Sequence, residues 1–241
     1  MFKVEQMKAI LLRIGIDKKT DGTLGPIFEV GSFEYIPISE GDSKSQEDRT
    51  YKNTIGRSGK TLSAYLPKGI ENRTMHFDPE FETFTYGDLT PTKRKALLKL
   101  ASDDLLVFYA GLTPFENKKH KEALYIIGYF TIEKVIDFNQ LTENEIKKCY
   151  QLYPNNAHLK RRIDTEKLVI VVGYKDQSKL LDSAILISRI KYDKNWNRYQ
   201  AVSKEMEISL GIFGSIQRSI PPRFIRDGKN INTLKHIVGL N

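Results

Sequence analysis

The sequence predicts an α+β protein built on a mixed or barrel-like sheet flanked by helices. Three observations predict it. Four apolar runs of strand length stand near residues 8–14, 104–110, 124–132 and 167–173. Helix-start signals separate some of them, and strands and helices do not alternate strictly, as a doubly wound sheet would require.

The elements follow in chain order. Residues 7–16 read as a buried strand, with residues 1–6 peripheral to it and a turn over 17–25 behind it. Residues 28–38 look like a second strand pair. Breakers crowd residues 41–69, which show little apolar periodicity and read as a long excursion or lid. Thr90 and Pro91 open a helix over 91–101, because threonine can cap a free amide and proline suits the first helical position. Ala96, Leu97, Leu100 and Ala101 share its inner face. The strand at 104–110 is closed by Gly111, and the run from Leu124 is apolar on both faces up to Ile132. Thr142 and Glu145 make a capping-box pattern for a helix over 142–152, which Ile146, Cys149, Tyr150 and Tyr153 continue. After the strand near 167–173, Ile208, Ile212 and Ile216 suggest a last helix that Pro221 and Pro222 end.

A chain of 241 residues suits one compact domain, 1–241, with a core that needs no staple. Cys149 is the sole cysteine, which excludes an intrachain disulfide and a cysteine-based zinc site and fits a reducing compartment. No stretch approaches the roughly 18 apolar residues of a membrane span, and the first residues lack the apolar core of a secretory signal. A cytoplasmic protein with no membrane partner is the expectation. The net charge is +8, and residues 186–241 form a basic C-terminal flank with ten Lys and Arg against four Asp and Glu. Such clustering is the footprint of a polyanion binder, so nucleic acid or nucleotide is the expected partner; a merely solvated basic surface accounts for it equally well.

The familiar catalytic and phosphate-loop signatures are absent, and no cofactor is indicated. Gly56-Arg57-Ser58-Gly59-Lys60 has a phosphate-loop flavour without the strand and helix such a loop needs. Three constellations remain. Arg13-Ile14-Gly15-Ile16-Asp17, running on to Gly25-Pro26-Ile27, sets an arginine and an aspartate at the end of a buried strand, for binding or to pin the turn. His76-Phe77-Asp78-Pro79 places an imidazole and a carboxylate on one face of an extended segment, where they can work as an acid–base pair. They could equally ligate a divalent metal, although two ligands alone do not name a metal site. His158-Leu159-Lys160-Arg161-Arg162 offers guanidinium and ammonium groups suited to phosphate or to a helix C-terminus.

Those three constellations, in that order, resemble the third of the families called nucleotide modification associated domains. The likeness spans residues 8–175, a family-like core set at 7–175. It includes Arg13-Ile14-Gly15-Ile16-Asp17, Gly25-Pro26-Ile27, the His76–Glu80 motif, Asp103-Asp104 followed by an aromatic apolar strand to Gly111, Ile127-Gly128-Tyr129-Phe130, and Tyr153-Pro154 ahead of His158. The chain departs at Gly25, where the family has serine, and by two residues inserted between Pro154 and His158. The strands from Asp104 and Ile126 are also similar to the PUA-like barrels (EVE, ASCH and YTH among them), which hold a base in an aromatic-lined pocket. By that likeness Phe108, Tyr109, Tyr125, Tyr129 and Phe130 supply pocket walls; core packing is the plainer role for most of them. The resemblance implies a modified-base or nucleotide-binding protein linked to nucleic-acid base modification. The alternative is an enzyme acting on a free nucleotide or base, using the same pocket with a transient metal. In both, Arg13, Asp17, His158, Lys160 and Arg161 bind, while His76 and Asp78 carry any acid–base step. Arg13, Asp17, His76 and Asp78 are expected to share one cleft.

Overall fold

A computed structural model describes residues 7–161, 165–218 and 220–240 of the chain. The expectation for residues 1–6, and Arg162 of the basic run, lie outside the described residues. The first strand, β1 (Ala9–Ile14), is buried along nearly its whole length and is followed by short strands β2 (Gly25–Ile27), β3 (Ile38–Ser39), β4 (Met75–His76) and β5 (Thr85–Asp88). Helix α1 (Pro91–Leu97) leads to the two longest strands, β6 (Leu105–Pro114) and β7 (Ala123–Asp137). Then come α2 (Glu143–Leu152), the single turn α3 (Ala157–Lys160), β8 (Val169–Gly173) and β9 (Lys179–Leu186). The hairpin β10 (Ser188–Tyr192) and β11 (Arg198–Val202), helix α4 (Lys204–Leu210), β12 (Arg223–Ile225) and α5 (Gly228–Val238) complete the described chain.

The four apolar runs lie in one sheet, as their patterning predicts. Its path is β12-β1-β6-β7-β8-β5, with β2 also on β6 and β9 also on β7. The β1–β6 and β2–β6 pairs are parallel and the remaining pairs antiparallel, so the sheet is mixed. Residues Leu105 to Leu112 of β6 are buried on both faces, which is why that run is apolar throughout rather than alternating. A register shift between Ile132 and Lys134 lets β7 serve β6 and β9 with one half and β8 with the other.

The expectation of a closed barrel fails. Among the described residues no pairing joins the ends of the path at β12 and β5. The sheet curls nonetheless: Arg13 of β1 and Tyr86 and Asp88 of β5 line one cleft although three strands stand between β1 and β5. The aromatic walls expected of a PUA-like pocket are core instead. Phe108 and Phe130 are fully buried and pack edge-to-face on each other and on Phe81. Tyr109 and Tyr125 spend their hydroxyls on the Ile216 and Lys121 carbonyls, and Tyr129 packs in the same core.

Three further expectations are corrected. Residues 28–38 make no strand pair, because the chain reverses at once: Phe28 donates to Ser32, and Gly31 takes φ +90°, a left-handed conformation that suits glycine. The excursion over 41–69 is no open lid. Tyr51, Leu62 and Tyr65 pack with Ile16, Ile36 and Met75 in a core of their own. Finally, α4 stops at Leu210, where Gly211 turns left-handed at φ +64°, so Ile212 and Ile216 enter the core from a loop rather than a helix. The capping box does form: Glu145 N–H donates to Thr142 Oγ1, and Thr142 N–H to Glu145 Oε2. Thr90, by contrast, does not cap α1 and gives its amide and hydroxyl hydrogens to Asp88.

The basic flank is woven into this fold. β12 pairs antiparallel with β1, and α4 and α5 press Met206, Leu210, Ile231 and Leu234 onto the main core. Among the described residues no helix is long and apolar enough to cross a membrane.

Candidate functional site

His76 closes β4, opposite Ile38 of β3. Two residues on, the Asp78 amide donates to the His76 carbonyl in a tight turn, and Asp78 Oδ1 accepts the Gly87 amide of β5 at 2.7 Å. His158 arrives from the other side on α3. Asn156 caps that turn, its Oδ1 accepting from the His158 and Leu159 amides, while its Nδ2 donates to Thr85 Oγ1 of β5. Gly87 is the meeting point. A Cβ there would stand 2.6 Å from His158 Cδ2, so the missing side chain is what lets the ring lie against β5.

These three elements bring two imidazoles and a carboxylate together. His158 Nε2 is 3.4 Å, and His76 Nε2 4.0 Å, from Asp78 Oδ2. The two rings stand edge to face, 4.8 Å between centroids. One ligand-capable atom from each of His76, Asp78 and His158 lies within 4.8 Å of the others. His158 Nδ1 and Tyr35 Oη are buried with no hydrogen-bond partner among the described residues. Burial, with the Asp78 charge second, pushes the Tyr35 hydroxyl well above the usual phenol range.

Asp78, 4.0 Å from the ring, is not the group that orients His76. Glu40, at the end of β3, takes that role: its Oε2 is 2.9 Å from His76 Nδ1. Arg161 Nη2 lies 3.1 Å from the same Nδ1, so Glu40 and Arg161 together engage that nitrogen and Nε2 is left toward Asp78. Arg161 holds Glu40 in turn, through Nε at 3.1 Å to both oxygens and Nη2 at 2.7 Å to Oε1. Burial by itself raises the Glu40 carboxyl, but the hydrogen bonds from His76 and Arg161 outweigh it and hold the group well below the carboxylate range.

His76, Asp78, His158, Arg161 and Arg13 all line a cleft of about 240 Å³. Asp17 does not. It lines a neighbouring cavity of about 560 Å³ that meets the cleft at Arg13 and Arg218. Its partner is Arg218, whose Nε lies 2.7 Å from Asp17 Oδ2, and not Arg13. Lys160 also stands apart, bonded at 2.8 Å to Glu47, which is likewise held by Arg49. Burial raises the Glu47 carboxyl, yet those bonds bring it down to about 2. The Gly56–Lys60 loop does present amides to a negative group, but the group is internal: Arg57 and Ser58 donate to the buried carboxylate of Glu34.

Arg13 has no carboxylate within ion-pair distance among the described residues, and its Nε has no hydrogen-bond partner. Burial, then the nearby Arg218 charge, lowers its guanidinium to about 10, so it stays charged at neutral pH. Lys93 joins this side of the cleft from α1, donating to Asp88 and Tyr86. Glu40, Gly87, Lys93 and Arg218 were not legible as site residues. Arg218 carried only the general signal of the basic flank over 186–241.

Comparison with known proteins adds one match. No curated protein and no solved structure matches the chain. A family model described as nucleotide modification associated domain 3 matches residues 8–216, further along the chain than the resemblance to 175 that the motifs support. With this match over most of its length, the chain belongs to the nucleotide modification associated domain 3 family.

Proposed function

We propose that this protein binds a nucleotide, free or as part of a nucleic acid, in the course of base modification. The phosphate would rest against Arg13, Arg218 and Lys93, and the base or sugar would face His76, Asp78 and His158. The observation that carries this reading is Arg13: a half-buried guanidinium, its Nε buried and without a hydrogen-bond partner, where two cavities meet. A charge drawn this far from water without a carboxylate is costly, and Arg218, although it holds Asp17, adds repulsion, so Arg13 is placed for an anion from outside the chain. Guanidinium groups suit phosphate because their planar fork donates to two oxygens at once. The family's association with nucleotide modification makes nucleotide the natural source of that phosphate.

A second reading, an enzyme acting on a free nucleotide or base, draws on the small volume of the cleft around the His76, Asp78 and His158 cluster. A single base or phosphate fits such a space more readily than a strand. In that reading His76 and Asp78 stand beside the reacting atom.

Calorimetric titration with nucleoside 5′-monophosphates and their parent nucleosides tests the proposal. The monophosphates should bind more tightly, and Arg13→Gln should weaken them about tenfold or more, as losing a charge-assisted hydrogen bond of roughly 1.5–3 kcal/mol requires. Nucleoside binding should not change. Equal affinity for both ligand classes, or an unaltered monophosphate affinity in Arg13→Gln, would reject it. If a strand is the true ligand, its affinity should fall steeply with salt through counterion release, and a lone monophosphate should respond far less.

A further inference from the structure

The geometry points to a divalent first-row transition metal held by His76, Asp78 and His158, a site that does not depend on what the cationic side of the cleft binds. The orientation of His76 comes first. Glu40 Oε2 lies 2.9 Å and Arg161 Nη2 3.1 Å from Nδ1, so that nitrogen is engaged and Nε2 is the ring nitrogen turned toward the cleft. Nε2 faces Asp78 Oδ2 at 4.0 Å, too far for a hydrogen bond, with nothing bonded between them among the described residues. Asp78 Oδ2 also faces His158 Nε2 at 3.4 Å, at the long limit of a hydrogen bond.

Asp78 itself needs a cation. Its side chain is only 7% exposed. Gly87 N–H serves Oδ1, and no lysine or arginine comes within ion-pair distance of Oδ2 among the described residues. A buried carboxylate in this state calls for positive charge, and two imidazole nitrogens converging on the same oxygen supply the remaining ligands of a metal.

The spacing agrees. Metal–nitrogen and metal–oxygen bonds of about 2.0–2.2 Å set tetrahedral ligand atoms roughly 3.3 Å apart. The Asp78–His158 edge is already there, the Asp78–His76 edge must close by about 0.7 Å, and the His76–His158 edge, up to 4.8 Å, by up to about 1.5 Å, which turning the two rings toward the metal supplies. The surroundings agree as well. Metal-bound histidines commonly give their other N–H to a carboxylate, which sets the tautomer and raises ligand basicity. Glu40 stands in this place for His76, beside Arg161 Nη2, and Arg161 locks Glu40 from two directions; His158 Nδ1 has no such partner among the described residues. Two histidines and one carboxylate leave coordination positions open toward the cleft, where water or a ligand atom could enter.

Cobalt(II) provides the probe. The full chain, stripped with chelator and dialysed against Co(II), should retain one equivalent per chain, with visible d–d absorption from nitrogen and oxygen ligands. Asp78→Asn and His158→Ala should each lose that equivalent, while His236→Ala, at an exposed histidine on α5, should keep it. Glu40→Gln should keep the stoichiometry and weaken affinity about 10–100-fold, as loss of an outer carboxylate does. A wild-type chain that retains no Co(II), Zn(II), Fe(II) or Mn(II) would overturn the assignment. So would cobalt retained in both Asp78→Asn and His158→Ala. Should those variants not fold by circular dichroism, proton NMR of the wild-type chain decides. Co(II) must broaden or hyperfine-shift the ring resonances of two histidines and leave those of His236 in place, and four unshifted histidines would sink the site.

Discussion

On the side of the cleft reached from β3 and β4, charges come in matched sets. Glu40 is shared by His76 and Arg161, and Glu47 by Arg49 and Lys160. Across the cleft, at the end of β1, Arg13 has no carboxylate of its own, and the strongest charge acting on it is a second arginine, although its neighbours Lys93 and Arg218 are paired with Asp88 and Asp17. The fold therefore treats one side as a strut and leaves the other incomplete at Arg13. A buried pair holds position through its geometry; a buried single charge is stable only when something completes it. Binding groups are expected on the incomplete side and positioning groups on the matched side. Lys160 and Arg161, which as isolated cations in a basic run suggest phosphate binding, belong to the matched side and act through Glu47 and Glu40.

The largest effect should come from breaking the strut. Arg161→Met leaves a buried Glu40 with His76 and the Asp42 amide but no permanent cation, and loss of one partner from a buried pair typically costs about 3–5 kcal/mol. Chemical denaturation should show a loss approaching that range. A change below about 0.5 kcal/mol would mean that this side is not held by its ion pairs.

A smaller effect should appear in acid. The Glu47 carboxyl is brought to about 2 in the folded chain, below its unfolded value near 4.3. A depressed carboxyl contributes stability that is fully present above the unfolded value and is lost as pH falls toward the folded one. Between about pH 4.5 and 2, wild type should therefore lose stability faster than Glu47→Gln, and at pH 7 wild type should be the more stable of the two. Parallel urea titrations at pH 7, 4 and 3 measure this, and parallel acid limbs would remove Glu47 from the matched set.

The smallest effect is the sharpest contrast. Arg13→Met removes a charge that nothing in the described chain pairs, so stability should stay within about 1 kcal/mol of wild type or rise. A loss of about 3 kcal/mol, like that expected for Arg161→Met, would show that Arg13 is a structural cation and the two sides are alike.

Sheet membership, the α2 capping box and the family were legible in the residues because each rests on local or ordered signals. An apolar run of strand length, a threonine three residues before a glutamate, and motifs in a given order can all be read along the chain. The site was legible in its members more than in its contacts. His76, Asp78, His158 and Arg13 do meet in one cleft. Asp17 pairs elsewhere because Arg218, about two hundred residues away, reaches the same turn and competes for it. Glu40 carries no motif, and it reaches His76 only because β3 pairs with β4 across the packed 41–69 excursion.

The sequence by itself determined which segments would be buried strands, where α2 would begin, and which side chains carried chemistry worth gathering. Only the tertiary structure decided their partners. Hydrogen bonds and ion pairs form at about 3–4 Å, a distance set by sheet curl, strand register and the missing side chain of Gly87, and none of these can be counted along the chain. The same limit applies to the helix expected from Ile208, Ile212 and Ile216. Their spacing of four fits a helical face, yet the left-handed turn at Gly211 and the space beside Tyr109 and Val202 drew the last two into the core as a loop.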